Sequence, residues 1–337
     1  MPDPGLCPRS QPLPMSKPAI ISTGWMMPLV TRQIDEAFEV HWLNKVSDWD
    51  KLFAEVGPRI EGVCTGALTN VATTADMIKK MPNLKIISNY GVGYDSIDVP
   101  AAKSQGVVIT HTPEVLNEEV ADMAVGLLIS TVREFNHAEA YLRSGEWAQK
   151  GEFRYTASLR DRHVGMIGFG RIGKAIGRRL EGFGVPISYF GRTKQPDVPY
   201  PFYDDLVAMA RDVDTLIAIL PGGPATQGLI NKAVLEALGP RGIVINVARG
   251  SVVNEADLIA ALKNRTIHSA GLDVYVGEPN IDPAFLELDN VTLLPHVGSG
   301  SQHTRDKMGQ LVVDNLLAYK ERRAPLTPTP DTPFKGW

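Results

Sequence analysis

Three charged residues stand just after apolar, β-branched runs. Arg249 follows Gly242-Ile-Val-Ile-Asn-Val-Ala248, Glu278 lies beyond Ala270-Gly-Leu-Asp-Val-Tyr275, and His296 follows Val291-Thr-Leu-Leu-Pro295. If each run is a strand of one parallel sheet, the carboxyl edge of that sheet collects a fixed cation, a carboxylate and an imidazole. That set suits the reduction of a 2-oxo acid. A guanidinium grips a carboxylate through two parallel hydrogen bonds, which a lysine cannot do. As hydride arrives at C2 the carbonyl oxygen gains charge and needs a proton. An imidazole titrates at about 6.5 in water, and a carboxylate beside it favours the acid form. In the oxidative direction the neutral ring takes the alcohol proton. Arg249, Glu278 and His296 are the expected catalytic residues, Arg249 and His296 also meeting the substrate. Singly each is weak, because a histidine after a strand is more often structural and Glu-Pro is a common loop opening.

The hydride needs a carrier. His163-Val-Gly-Met-Ile-Gly168-Phe-Gly170-Arg171-Ile172-Gly173 reads as a strand, a glycine-rich turn and a helix start. Gly168 permits the tight turn, Gly170 lets the backbone approach a pyrophosphate, and Gly173 allows the helix to pack closely on the strand. Free amides at the helix start, around Arg171 and Ile172, then face the phosphates. Alone, the turn also fits a flavin or a methyltransferase site. An NAD site places Asp or Glu after the next strand, where it accepts from the ribose 2′-hydroxyl. Here Gly191 holds that place, followed by Arg192, Thr193 and Lys194. A guanidinium with a neighbouring hydroxyl and ammonium suits a 2′-phosphate. NADP(H) is therefore the preferred cofactor, with NAD(H) possible; a merely solvated loop at Arg192 and Lys194 would leave the choice open.

The elements that must position these residues alternate as in parallel α/β domains. Strands are expected at Ala19–Ser22, Phe38–Trp42, Ile60–Thr65, Leu84–Asn89 and Val107–Thr110, with helices near Thr31–Ala37, Trp49–Glu55, Val71–Lys79 and Val99–Ser104. One long helix is expected from Asn117, as its N-cap, to Leu142. A second series follows: strand His163–Ile167, helix Arg171–Phe183, then strands Pro186–Phe190, Thr215–Ile219, Ile243–Val247, Ile267–Leu272 and Val291–Leu294, and a last helix over Gln302–Tyr319. The fold class is α/β, with two Rossmann-like doubly wound parallel-sheet domains and the active site expected in the cleft between them.

Composition agrees with that organisation. At roughly 150 residues per domain, the 337 residues suggest two domains. Hydrophobic residues make up 44% and charged residues 21%, as in an ordinary globular chain able to bury a core. A net charge of -4 gives no reason to expect nucleic acid, and no apolar run is long enough to span a membrane. Cys7 and Cys64 make no disulfide framework or metal spacing, so no metal is expected and a cytoplasmic location is. Residues 1–16 read as a disordered extension, and the proline-rich 324–337 as a tail.

Over most of its length, from about Lys17 to Arg323, the sequence resembles the D-isomer-specific 2-hydroxyacid dehydrogenases. The most specific pieces are Asn246-Val-Ala-Arg-Gly250, Gly271-Leu-Asp-Val-Tyr275 with Glu278-Pro279, and Leu294-Pro-His-Val-Gly-Ser-Gly300. Pro186-Ile-Ser-Tyr-Phe-Gly-Arg-Thr-Lys194 is similar to the NADPH-preferring glyoxylate, hydroxypyruvate and hydroxyphenylpyruvate reductases of that family. The resemblance implies that Arg249 anchors substrate, that His296 is the acid/base and that Glu278 pairs with it. It also implies that Asp273 lies near the nicotinamide carboxamide, that Leu220 and Pro221 line the adenosine side, and that Val247, Ala248 and Gly298 join the cofactor site. Ser88-Asn-Tyr-Gly91-Val92-Gly93-Tyr-Asp95 resembles the family's substrate loop, and its glycines would free the Val92 and Gly93 amides to hold a carboxylate; Thr65-Gly66 is a weaker candidate. A flavodoxin-like substrate domain is implied over 17–115 plus 303–323. A dinucleotide-binding Rossmann domain is implied over 116–302, its long helix and following arm forming a homodimer. The expected substrate is a small 2-oxo or 2-hydroxy acid. A sugar-acid reductase of the 2-ketogluconate type remains open, and so, more remotely, does a dinucleotide-sensing binding protein. A formate dehydrogenase of this fold pairs the histidine with glutamine, against Glu278 here.

Overall fold

The computed structural model describes residues 17–66 and 71–337; the expected extension over 1–16, with Cys7, lies outside the described residues. Two compact units emerge. One takes in the described residues up to Tyr90 with Ser96–His111 and Gly309–Trp337, the other Gly91–Asp95 and Thr112–Met308.

In the first unit the chain alternates β1 (Ala19–Ser22), α1 (Pro28–Ala37), β2 (Glu39–Trp42), α2 (Trp49–Val56), β3 (Ile60–Cys64), α3 (Ala75–Lys79), β4 (Ile86–Ser88), α4 (Val99–Ser104) and β5 (Val108–Thr110). The five strands are parallel, in the order β2-β1-β3-β4-β5. Central strands such as Ala19-Ile-Ile-Ser22 are buried throughout, which is why they read as continuous apolar runs rather than as alternation. The side chains of Asp48, Thr74 and Asp98 accept from backbone amides and start α2, α3 and α4. The Thr74 cap explains why α3 begins at Ala75, four residues later than the expected Val71. Burial pushes the Cys64 thiol up to about 12, so it is an inert core group.

The second unit opens with helices. A single helix over 117–142 was expected; instead α5 (Asn117–Arg133) and α6 (Phe135–Arg143) are separated by Glu134, whose φ is +51°. The left-handed residue ends α5, and Arg154 holds its carboxylate, Nε to Oε2 at 2.7 Å. Asn117 is the first helical residue rather than the N-cap, a place taken by Leu116 without a side-chain bond. Then come α7 (Glu146–Lys150), β6 (Val164–Ile167), α8 (Arg171–Glu181), β7 (Ile187–Phe190), β8 (Phe202–Tyr203), α9 (Leu206–Asp212), β9 (Thr215–Ala218), α10 (Lys232–Leu238), β10 (Ile243–Asn246), α11 (Glu255–Lys263), β11 (Ser269–Leu272) and β12 (Val291–Leu293). The seven strands are parallel, ordered β12-β11-β10-β9-β6-β7-β8. Helix α5 lies directly on this sheet: a Cβ at Gly271 would stand 3.0 Å from Leu127 Cγ. The two sheet faces carry separate cores, one around Leu216, Val244, Leu258 and Phe285, the other around Leu128, Met166, Ile176 and Ile245.

The last helix, α12 (Gln302–Lys320), belongs to the second unit up to Met308 and to the first from Gly309. In the first unit Val312, Val313, Leu316 and Tyr319 pack with Ile20, Val30, Phe38 and Ile86. The stretch expected as a loose tail is instead packed. Thr329 N bonds Ile109 O at 2.8 Å, Ile109 N bonds Thr332 Oγ1 at 2.9 Å, and His111 N bonds Thr327 O at 3.1 Å. Trp337 sets its ring edge-on to Tyr319 at 4.8 Å. Composition misled here because prolines bar a helix but not an extended strap along a sheet edge.

Candidate active site

The loops leaving β10, β11 and β12, neighbours in the sheet, carry Arg249, Glu278 and His296. His296 Nδ1 lies 2.7 Å from Glu278 Oε2. The other carboxylate oxygen accepts the Tyr275 amide at 2.7 Å, so Glu278 is itself held in place. Burial pushes the Glu278 carboxyl up, but its bonds from His296 and the Tyr275 amide, with the charges of His296 and Arg249, together hold it below the usual carboxylate range. With Nδ1 turned to Glu278, the ring has Nε2 left for a ligand. His296 adopts φ +53°, a conformation that costs a non-glycine residue roughly 1–2 kcal/mol. What fixes it is Asp273, whose Oδ1 and Oδ2 accept the amides of Val297 at 2.7 Å and Gly298 at 2.9 Å. Asp273 is buried, and that burial raises its carboxyl above the ordinary range despite the two amides. Its oxygens thus hold the histidine loop, beside any contact with a cofactor.

Arg249 is braced from three sides. Asn246 Nδ2 bonds the Arg249 carbonyl at 2.9 Å, and Arg249 Nη1 donates to Ala248 O at 2.8 Å. The third brace is Asp95: Arg249 Nε lies 3.2 and 3.3 Å from its two oxygens, and Nη2 lies 3.2 Å from Oδ1. Sequence reasoning missed Asp95, and nothing in the spacing signals a pair 154 residues apart. Gly93 lies against the same guanidinium; a Cβ there would come within 3.0 Å of Arg249 Cζ. Gly93, from the loop expected to meet substrate, thus adjoins Arg249. Thr65, the weaker candidate, spends its hydroxyl on Asn89 Oδ1 and the Tyr90 amide within the first unit.

The glycine turn leaves β6, two strands from β10. Gly168 has φ +92°, and a Cβ there would stand 2.5 Å from Ile219 O, so no other residue fits without a shift. A Cβ on Gly173 would meet Gly168 O at 2.8 Å, whereas at Gly170 it would meet nothing within 4 Å. The backbone at the start of α8 therefore faces open space, where an anion can approach the amides of Arg171 and Ile172. Arg171 reaches Glu114 at 3.4 Å. Leu220 and Pro221 follow β9, while Val247 and Ala248 are buried after β10. Arg192 and Thr193 are exposed after β7, and among the described residues no carboxylate pairs with Arg192 or Lys194. Among the described residues no group of His, Cys, Asp and Glu could hold a metal ion, and no helix is long and apolar enough to cross a membrane.

A doubly wound parallel sheet with this turn, and with Arg249, Glu278 and His296 after neighbouring strands, is the arrangement of a dinucleotide-dependent oxidoreductase. A family model described as D-isomer specific 2-hydroxyacid dehydrogenase, NAD binding domain, matches residues 125–298. A solved structure of an NADPH-dependent glyoxylate/hydroxypyruvate reductase from Sinorhizobium meliloti, in complex with NADP and malonate, is similar with a TM-score of 0.90 and 45% identity, covering 95% of this chain and 99% of that one. Glyoxylate/hydroxypyruvate reductase A of Arabidopsis thaliana is 43% identical over 75% of this chain and 81% of its own. The 2-ketogluconate reductase of Gluconobacter oxydans is 37% identical over 93% of this chain and 99% of its own. The chain belongs to the D-isomer specific 2-hydroxyacid dehydrogenases.

Proposed function

We propose that this protein reduces a small 2-oxo acid, such as glyoxylate or hydroxypyruvate, to the D-2-hydroxy acid, with NADPH as the preferred donor. The observation that carries the reading is the 2.7 Å His296–Glu278 pair one strand away from a braced Arg249. When bound, the reduced nicotinamide supplies the hydride. Arg249, with the Val92 and Gly93 amides, binds the substrate carboxylate. His296 Nε2 gives its proton to the carbonyl oxygen while Glu278 stabilises the charged ring. The amides at the start of α8 receive the pyrophosphate, with Leu220, Pro221, Val247, Ala248, Asp273 and Gly298 along the remaining contact.

NADPH preference rests on Gly191, which offers no carboxylate against a 2′-phosphate, and on the exposed Arg192 beside Thr193, with which no carboxylate pairs among the described residues. Four strands lie between β7 and β12. At about 4.8 Å per strand an extended ligand could run from Arg192 towards His296. The first unit is read as the substrate domain and the second as the dinucleotide domain of a cytoplasmic homodimer. Exposed Phe135, Leu142, Trp147 and Tyr155 on and after α6 support the dimer. A 2-ketogluconate reductase is the second reading, favoured by a relative of that name matched over nearly its whole length. The test follows NADPH absorbance with glyoxylate, hydroxypyruvate and 2-ketogluconate. Turnover fastest on the small acids supports the proposal, turnover fastest on the sugar acid supports the second reading, and tight NADPH binding without turnover refutes both.

A further inference from the structure

The geometry points to Asp95 as a specificity-determining residue that restricts the enzyme to 2-oxo acids bearing a single carboxylate. The inference rests on the 2-oxo acid reduction proposed above and names which members of that class are taken.

Asp95 occupies one edge of the Arg249 guanidinium, Nε and Nη2, at 3.2 to 3.3 Å, while Nη1 is partly spent on Ala248 O. The arrangement is framed by two glycines. A Cβ at Gly222 would stand 3.0 Å from Arg249 Cγ and 3.4 Å from Asp95 Oδ2; one at Gly93 would stand 2.9 Å from Asp95 Oδ1 and 3.0 Å from Arg249 Cζ. Neither side chain could keep its place against a larger residue at 93, so the carboxylate–guanidinium contact is built into the backbone around it.

Charge balance follows from that contact. Arg249 is the fixed cation here, and it already faces one resident anion in Asp95 while also lowering the Glu278 carboxyl through its charge. A substrate carboxylate docking on the remaining guanidinium donors makes a second anion on one cation. A further carboxylate on the same small substrate would meet a guanidinium already shared between two anions, and the Asp95 carboxylate on that guanidinium would repel it. Neutral substituents at C3 meet no such penalty, and a hydroxyl there can donate to an acidic neighbour. Asp95 thus makes the anchor selective by subtracting charge from it.

The closing experiment compares oxaloacetate with its isosteric amide, 2-oxosuccinamate, and with hydroxypyruvate, using NADPH and the full chain. Wild type should favour the amide over the diacid by at least about tenfold in kcat/KM, and Asp95→Asn should narrow that gap by about tenfold, chiefly by raising the diacid. Asp95→Glu, which retains the charge, should keep the gap, and added salt should shrink it in wild type but not in Asp95→Asn. An unchanged gap in Asp95→Asn, or an equal loss on all three substrates, overturns the inference while leaving the reductase reading intact. Failure of wild type to reduce any of the three would overturn that reading, and this one with it.

Discussion

His296 Nδ1 sits 2.7 Å from Glu278 Oε2, and the opposite oxygen of the same carboxylate is tied to the Tyr275 amide at 2.7 Å. The imidazole is therefore oriented by a group that cannot itself swing away. Orientation of this kind sets which ring nitrogen meets the substrate.

Replacing the imidazole should remove proton delivery without disturbing the glycine turn, which leaves a strand four places away in the sheet. His296→Ala is expected to lower kcat by at least about 10²-fold, with the NADPH dissociation constant, read by fluorescence titration, nearly unchanged. A fully active variant would take His296 out of the mechanism.

Glu278 links stability to acidity. Despite its burial its carboxyl is held below the ordinary range by His296 and the Tyr275 amide. A carboxyl depressed in the folded state contributes stability above its unfolded pKa and loses it as pH falls through the folded value. Thermal melts of wild type and Glu278→Gln should therefore differ most above the usual carboxylate range and converge at the acid end. Asp273, raised by burial, acts in the opposite sense: its contribution is present at low pH and fades as pH rises through its folded value. A Glu278→Gln difference that grows on acidification would contradict this assignment.

Gly93 should tolerate no side chain. Its Cβ would stand 3.0 Å from Arg249 Cζ and 2.9 Å from Asp95 Oδ1, so Gly93→Ala must push the guanidinium aside. KM for the 2-oxo acid should rise by roughly tenfold or more while NADPH affinity holds. Steady-state kinetics with each substrate varied in turn will separate the two.

Cofactor choice can be tested at one exposed position. If Arg192 holds the 2′-phosphate as proposed, Arg192→Ala should weaken NADPH far more than NADH, by about tenfold or more in the ratio of dissociation constants. Equal loss for both would remove the phosphate-binding role.

Most strands were legible because parallel strands buried on both faces are short β-branched runs, as in Ile243-Val-Ile-Asn246 and Ile187-Ser-Tyr-Phe190. The approach of His296 to Glu278 was legible too, since both follow such runs and β11 pairs with β12. Other features left no local trace. The two residues of β8 are too few for periodicity to show. The break at Glu134 hides inside a continuous helical pattern, because a left-handed glutamate is set by Arg154 twenty residues on. Asp95 read as part of a turn, since its partner lies far along the chain. Short helices such as α9, α10 and α11 escaped notice, although Asp205, Asn231 and Asn254 cap them as the sequence allows.

The strap after α12 carries a practical consequence. Its Thr327, Thr329 and Thr332 satisfy the outer rim of β5, the last strand of the five-stranded sheet. Trimming the chain at residue 323 would strip that rim and leave a row of bare amides and carbonyls ready to recruit another molecule. Such a shortened protein should precipitate or form larger particles in light scattering, and its lost activity would then reflect clumping rather than any part for these threonines in turnover.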